Sequence, residues 1–69
     1  MAIVKVIEVL ASSDKGWEDA VRSALEEAKR SVRNIRSIYV KEFEAKVEND
    51  KIVRFGINAK ISFELEEKR

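Results

Sequence analysis

The sequence predicts an α+β domain of β-α-β-β type, in which a three-stranded antiparallel sheet of order 1-3-2 packs on one helix. Three observations predict it. Residues 3–10 are aliphatic and β-branched, residues 17–32 carry apolar side chains at helical spacing, and residues 52–65 alternate between apolar and polar side chains. Because the chain has only 69 residues, we expect residues 1–69 to form a single domain.

The first strand is predicted over residues 3–10, because Val and Ile are enriched in strands. Apolar side chains stand at both odd and even positions of this segment, whereas a strand with one solvated face alternates. We therefore expect the first strand to be covered on both of its faces.

The helix is predicted to begin after Ser13, whose hydroxyl is a good N-cap acceptor. Acidic residues follow in the first turns, where the helix dipole favours negative charge. Apolar residues then recur three and four positions apart, at Trp17, Ala20, Val21, Ala24, Leu25, Ala28 and Val32. This spacing forms one helical stripe whose alanines let the helix lie close to a sheet, and Asn34 is a fair cap at its end.

The second and third strands are predicted over residues 35–47 and 52–65. The third alternates almost perfectly, so it has one dry face that the helix can cover. The second changes phase between Val40 and Phe43, which requires either a bulge or burial on both faces.

The connections between the strands determine their order. The alternation of the second and third strands predicts a three-residue hairpin loop at residues 49–51, with Asn49 or Asp50 in the left-handed conformation. A right-handed β-α-β crossover makes the first and second strands parallel, so the third lies between them and antiparallel to both. The second face of the sheet and its edges are then available to neighbouring subunits.

Composition excludes several classes of function. Charged residues make up 39% of the chain but the net charge is only +1, whereas nucleic-acid binders usually carry a basic patch. No segment approaches the roughly 18 apolar residues of a membrane span, and residues 1–10 lack the pattern of a signal peptide, so the expected location is the cytoplasm. The charge-rich sequence lacks Cys, Gln, His, Pro and Thr, which is typical of thermophile proteins.

The same composition predicts self-association. A core of this size rarely supplies more than about 3–5 kcal/mol, so small domains usually need a disulfide, a structural metal or further copies. The chain has neither Cys nor His, which excludes disulfides and the common zinc sites. Contact with other copies of the chain is the remaining means of stabilisation.

An enzyme is not expected. Nucleophilic triads normally need His, and a phosphate-binding loop needs more glycines than Gly16 and Gly56. Glu42 and Glu44 share one face of the second strand and could act as acid and base, but a solvated face is the simpler interpretation.

Three further residues have both a structural and a functional interpretation. Trp17 is interpreted as the first core residue of the helical stripe, with a stacking platform as the alternative. Tyr39 is the aromatic residue beside the phase change that could meet a ligand, although packing is the commoner role. Gly56 interrupts a well-filled strand and marks either a bend or the close approach of another group.

A joint pattern runs along nearly the whole chain. It comprises Lys5-Val6-Ile7-Glu8-Val9, Ser12-Ser13, Trp17-Glu18, Ala20, Ala24, residues 28–36, Val40-Lys41-Glu42 and residues 59–65. This pattern resembles the dodecin family. The resemblance implies a hollow homododecamer built from trimers, and a flavin ligand such as riboflavin or FMN stacked between Trp residues.

The chain departs from the family at the flavin contacts. Ser37 stands where the resemblance places the stacking Trp, near Tyr39, and Gly56 stands where it places the flavin-binding Gln. Flavin binding is therefore expected to be weakened or altered. The chain is closer to the family members that lack this Trp, one of which is described as calcium-binding.

A metal-binding assembly or a purely structural one is the alternative to a flavin shell. Glu42 matches an acidic residue near a metal site in some dodecins. It is expected to point away from Tyr39 and Phe43, so that three copies could converge on calcium or magnesium in a trimer. An ion pair between Glu42 and a neighbouring Lys or Arg remains the other interpretation.

Overall fold

The computed structural model describes residues 3–65. The elements follow in the order β1 (Ile3–Ser13), α1 (Trp17–Ala28), β2 (Ile35–Glu48) and β3 (Lys51–Leu65). The strands form one sheet of order β1-β3-β2, and β3 is antiparallel to both neighbours. The predicted α+β class, β-α-β-β order and 1-3-2 sheet are therefore confirmed.

The start of the helix differs from the prediction. β1 continues to Ser13, and Gly16 occupies the N-cap position without a side-chain hydrogen bond. Ser13 Oγ still accepts the backbone N–H of Lys15 at 2.9 Å and donates to Asp19 Oδ2 at 2.6 Å. Ser13 was thus wrong as the N-cap, because strand pairing with Phe55 holds its backbone and its hydroxyl closes the turn after the strand.

The end of the helix also lies earlier than predicted. α1 ends at Ala28, with Lys29 as its C-cap. Asn34 was wrong as the helix cap, because it directly precedes β2 in the left-handed conformation, with φ of 62°. Its side-chain amide donates to the carbonyl of Glu64 at 3.2 Å, so it joins the entry of β2 to β3.

The core lies between α1 and one face of the sheet. The alanine stripe packs on the dry face of β3, where Ala20 and Ala24 meet Ile57 and Ala59, and Ile61 is fully buried beside them. The predicted stripe and the predicted dry face are both confirmed. A 12-residue helix is about 18 Å long, whereas the 15 residues of β3 span about 50 Å, so α1 covers only part of the sheet.

Partial cover leaves large apolar side chains in solvent. α1 covers one face of β1, while on the other face Val4 and Val6 are more than half exposed and Leu10 is 80% exposed. The second cover that the sequence predicts for β1 is therefore not supplied by residues 3–65 of the same chain.

Irregular pairing in β2 accounts for its change of phase. The register with β3 shifts between Val40 and Glu42, which makes Lys41 the extra residue of a bulge and confirms that interpretation. A second shift follows Lys46 near the hairpin end.

The hairpin loop is shorter than predicted. Glu48 pairs with Lys51, so the connection is a two-residue turn, and the three-residue loop at residues 49–51 was wrong. The count of alternating residues failed because the register shift after Lys46 corrects the parity within the strands. Asn49 and Asp50 both have positive φ, at 52° and 63°, as a tight hairpin turn requires.

Within the described part of the chain, no helix has the length and apolar character needed to cross a membrane.

Candidate functional site

All four residues singled out from the sequence lie on one face of the sheet. We call the face opposite α1 the open face; its side chains alternate with those that pack on the helix. Its rows across β1, β3 and β2 are Val6–Ser62–Ser37, Glu8–Lys60–Tyr39, Leu10–Asn58–Glu42 and Ser12–Gly56–Glu44. The open face therefore combines apolar side chains on β1 with polar and charged ones on β3 and β2.

One orientation predicted from the sequence was wrong. Tyr39 pairs with Lys60 and Glu42 pairs with Asn58, which places both on the open face instead of on opposite faces. The physical reason is the bulge at Lys41, because one extra residue reverses the parity of every position after it. Phe43 does lie on the opposite face from Glu42, since it pairs with the core residue Ile57.

Ser37 forms a small polar contact. Its hydroxyl lies 2.6 Å from the hydroxyl of Ser62 on β3, and either atom can be the donor. Next to it Arg36 donates to Glu64 Oε1 from Nε at 3.1 Å and from Nη2 at 2.6 Å. This end of the open face is thus held by hydrogen bonds and offers no aromatic surface for stacking except the exposed ring of Tyr39.

Gly56 lies in a shallow depression of about 340 Å³ bordered by Leu10, Ser12, Glu44 and Arg54. A Cβ atom built on Gly56 would stand 3.4 Å from Glu44 Oε1, which is ordinary van der Waals contact with the end of a flexible side chain. No close approach within the chain therefore requires glycine at this position.

Ser37 and Gly56 do not meet within one chain. Ser37 lies opposite Ser62, and six residues of β3, or about 20 Å, separate Ser62 from Gly56. A ligand that contacts both positions at once must therefore bind between two copies or be very long.

Glu42 lies opposite an amide that the sequence analysis did not single out. Asn58 faces Glu42 directly across the two strands, and its Oδ1 atom is buried without a hydrogen-bond partner. An unpaired buried carbonyl oxygen lowers stability by about 1–3 kcal/mol unless a donor or cation reaches it. The one signal in the sequence was an Asn inside a strand, where Asn is depleted.

The carboxylates of the open face are not clustered within one chain. Among residues 3–65, Glu42 forms no salt bridge, and Glu8 is the acidic residue that contacts Lys41, at 3.9 Å. The same residues contain no group of three or more acidic side chains able to hold a metal ion. A cation site built on Glu42 therefore needs donors from further copies.

Trp17 packs on the helix side of the sheet. Its ring contacts Phe55 and Phe43 edge to face, with centroids 5.0 and 5.8 Å apart. The indole Nε1 donates to the carbonyl of Glu44 at 3.0 Å. These contacts support the structural interpretation of Trp17, because the ring is fixed between core residues.

The family model for dodecin matches residues 3–66 of this chain. The chain belongs to the dodecin family. A curated relative, calcium dodecin from Mycobacterium tuberculosis, is 31% identical over 65 residues, which cover 94% of this chain and 92% of the relative. The family that the sequence pattern predicts is therefore confirmed.

Solved dodecin structures share the whole fold. The tt0972 protein from Thermus thermophilus gives a TM-score of 0.92 at 25% identity, with 99% of this chain and 100% of that chain covered. Dodecin from Streptomyces coelicolor gives 0.90 at 27% identity, with 97% and 96% covered. The calcium-chelating calcium dodecin from Mycobacterium tuberculosis gives 0.80 at 28% identity, with 97% and 96% covered. The described dodecin fold is thus complete in this chain.

Proposed function

We propose that this chain assembles with copies of itself into a closed homododecamer of trimers and serves as a cytoplasmic shell that binds and stores a small ligand. The exposure of large apolar side chains carries this proposal. Leu10 on the open face and Phe43 on the helix side are 80% and 62% exposed, in a chain too small to cover them itself. Membership of the dodecin family supports the same conclusion.

The proposed ligand class is a flavin-type molecule that binds more weakly, or in a different pose, than it would with the usual contacts. Ser37 and Gly56 occupy the positions of the stacking Trp and the flavin-binding Gln. The short Ser37–Ser62 contact and the empty space above Gly56 supply neither stacking nor a carboxamide. Tyr39 is the aromatic side chain left on the open face near Ser37. The proposed role is binding without catalysis.

Light scattering and native mass spectrometry test this proposal together. Twelve copies of the 7.9 kDa chain give about 95 kDa, and any retained ligand adds to the mass. We expect this species at low micromolar concentration, because burial of the exposed apolar residues drives association. A monomer or a simple dimer under these conditions would contradict the assembly, and an absorbance spectrum separates bound flavin from a colourless ligand.

A second candidate function is the binding of calcium or magnesium at Glu42. The buried, unpartnered Oδ1 of Asn58 opposite Glu42 favours it, because calcium prefers oxygen ligands and often accepts amide oxygens. Three copies of the pair would supply three carboxylates and three amides. Calcium dodecin, the relative at 31% identity, carries calcium in its name.

If Glu42 binds the cation, calcium at 100-fold excess over its Kd should raise the melting temperature by roughly 5 °C or more. Glu42→Gln should abolish this increment while the assembly keeps its mass, since the amide removes charge but little volume. Glu48→Gln, near the hairpin turn, serves as the matched control and should respond as the wild type does. An equal calcium response in the Glu42 variant would show that Glu42 is not a ligand.

A further inference from the structure

The outer edge of β2 is open. β3 lies at the centre of the sheet, so β2 pairs on one side only, over Ile35–Glu48. A long unpaired edge presents a row of N–H and C=O groups to another strand, and natural proteins usually protect it with proline, bulges or charges. In β2 the bulge at Lys41 lies near the middle, which leaves the part after it as a regular edge.

This part of β2 has opposite charges on one face and exposed apolar side chains on the other. Glu44 and Lys46 both lie on the open face, where they pair with Gly56 and Arg54 of β3. Neither forms a salt bridge with any residue from 3 to 65. On the helix side, Phe43 and Val47 are 62% and 59% exposed.

We propose that two copies pair antiparallel through their β2 edges about a two-fold axis at Ala45, which joins two three-stranded sheets into one of six strands. This inference rests on the proposed self-assembly and specifies one of its interfaces. In this register Glu44 lies opposite Lys46 of the second copy, and Phe43 lies opposite Val47 of the second copy. The two-fold axis makes each contact twice, so four cross-strand pairs are favourable.

The alternation of side chains restricts the register. A two-fold axis perpendicular to the sheet pairs residues of the same parity, so the nearest alternatives centre on Glu44 or Lys46. The first places Glu44 opposite its own copy, and the second does the same for Lys46, which sets like charges against each other. Only the register centred on Ala45 avoids both contacts.

The proposed ladder is short. Beyond residues 43–47, Glu42 would lie opposite Glu48 of the second copy, and this like-charge pair ends the favourable stretch. The carbonyl of Glu44 already accepts the indole of Trp17 at 3.0 Å. A carbonyl oxygen has two lone pairs, so this bond still permits a ladder hydrogen bond.

The other open edge, on β1, lacks such a pattern. Its charged residues Lys5 and Glu8 differ in parity: Lys5 pairs with Phe63 on the helix side, and Glu8 pairs with Lys60 on the open face. No two-fold antiparallel pairing can set them opposite each other. Charge complementarity therefore distinguishes β2 from β1 as the self-pairing edge.

Charge reversal tests the register. Glu44→Lys and Lys46→Glu, made singly, should each replace two attractive pairs with two repulsive ones and weaken the association of the assembly roughly tenfold. The double variant Glu44→Lys/Lys46→Glu restores opposite charges across the axis and should regain the association of the wild type. Glu26→Lys on the exposed face of α1 is the matched control for a charge reversal alone.

Native mass spectrometry against protein concentration, with circular dichroism to confirm folding, gives the readout. Weakened single variants and a recovered double variant support the pairing. Single variants that associate as the wild type does would overturn it, and so would a double variant that stays dissociated. A wild-type chain that is itself monomeric would instead refute the proposed assembly, so the two failures can be told apart.

Discussion

Ile61→Ala is expected to lower the free energy of unfolding by about 2–5 kcal/mol. Ile61 is fully buried at the centre of β3, between Ile7 of β1 and Ile38 of β2. The substitution removes buried methyl groups and leaves a cavity that the neighbouring strands cannot close. Because a core of this size supplies only about 3–5 kcal/mol, the variant chain should be largely unfolded unless association compensates.

Urea denaturation followed by circular dichroism measures this effect, with Ile52→Ala as the matched control. Ile52 is 54% exposed beside the hairpin turn, so the same truncation there should lower stability much less. An equal loss in the two variants would contradict the expected difference and would mean that other copies bury Ile52 as fully as the sheet buries Ile61.

Ser37→Trp combined with Gly56→Gln is expected to raise flavin affinity about tenfold or more. Aromatic stacking contributes about 0.5–1.5 kcal/mol per pair beyond burial, and a carboxamide adds hydrogen bonds to a heterocycle. The structure permits both changes. Ser37 is exposed, and a side chain at position 56 first meets the mobile end of Glu44.

Quenching of flavin fluorescence during titration measures the affinity. Ser23→Trp, which adds an indole on the exposed surface of α1, is the control and should leave the affinity unchanged. If the double variant keeps its assembly but binds flavin no better than the wild type, the pocket differs from the usual one in shape as well as in its side chains.

The sequence predicts the fold well where side-chain periodicity is regular. The alternation of β3 and the alanine stripe of α1 each identify one buried face, and these two faces form the observed core. Errors arise where the backbone departs from its period. The bulge at Lys41 places Tyr39 and Glu42 on one face, and the shift after Lys46 shortens the hairpin turn, because periodicity can reveal a bulge but cannot locate it to one residue.

The candidate site was less predictable than the fold. The positions of Ser37 and Gly56 follow from the family pattern, but their separation along the sheet depends on strand register. Asn58 became notable only when its Oδ1 atom proved buried without a partner, and that depends on the packing of neighbouring side chains. Such a property belongs to three-dimensional contacts that one-dimensional spacing does not contain.

The central place of β3 also governs how the chain can fold as it is synthesised. β1 and β2 both pair with β3 and not with each other, although β3 is made after both. Neither earlier strand can form native sheet hydrogen bonds until β3 leaves the ribosome, so their apolar segments stay exposed in the nascent chain. Such segments are prone to aggregation, and non-local pairing of this kind slows folding. Rapid insertion of β3 between its neighbours is therefore the step on which the yield of folded subunits depends.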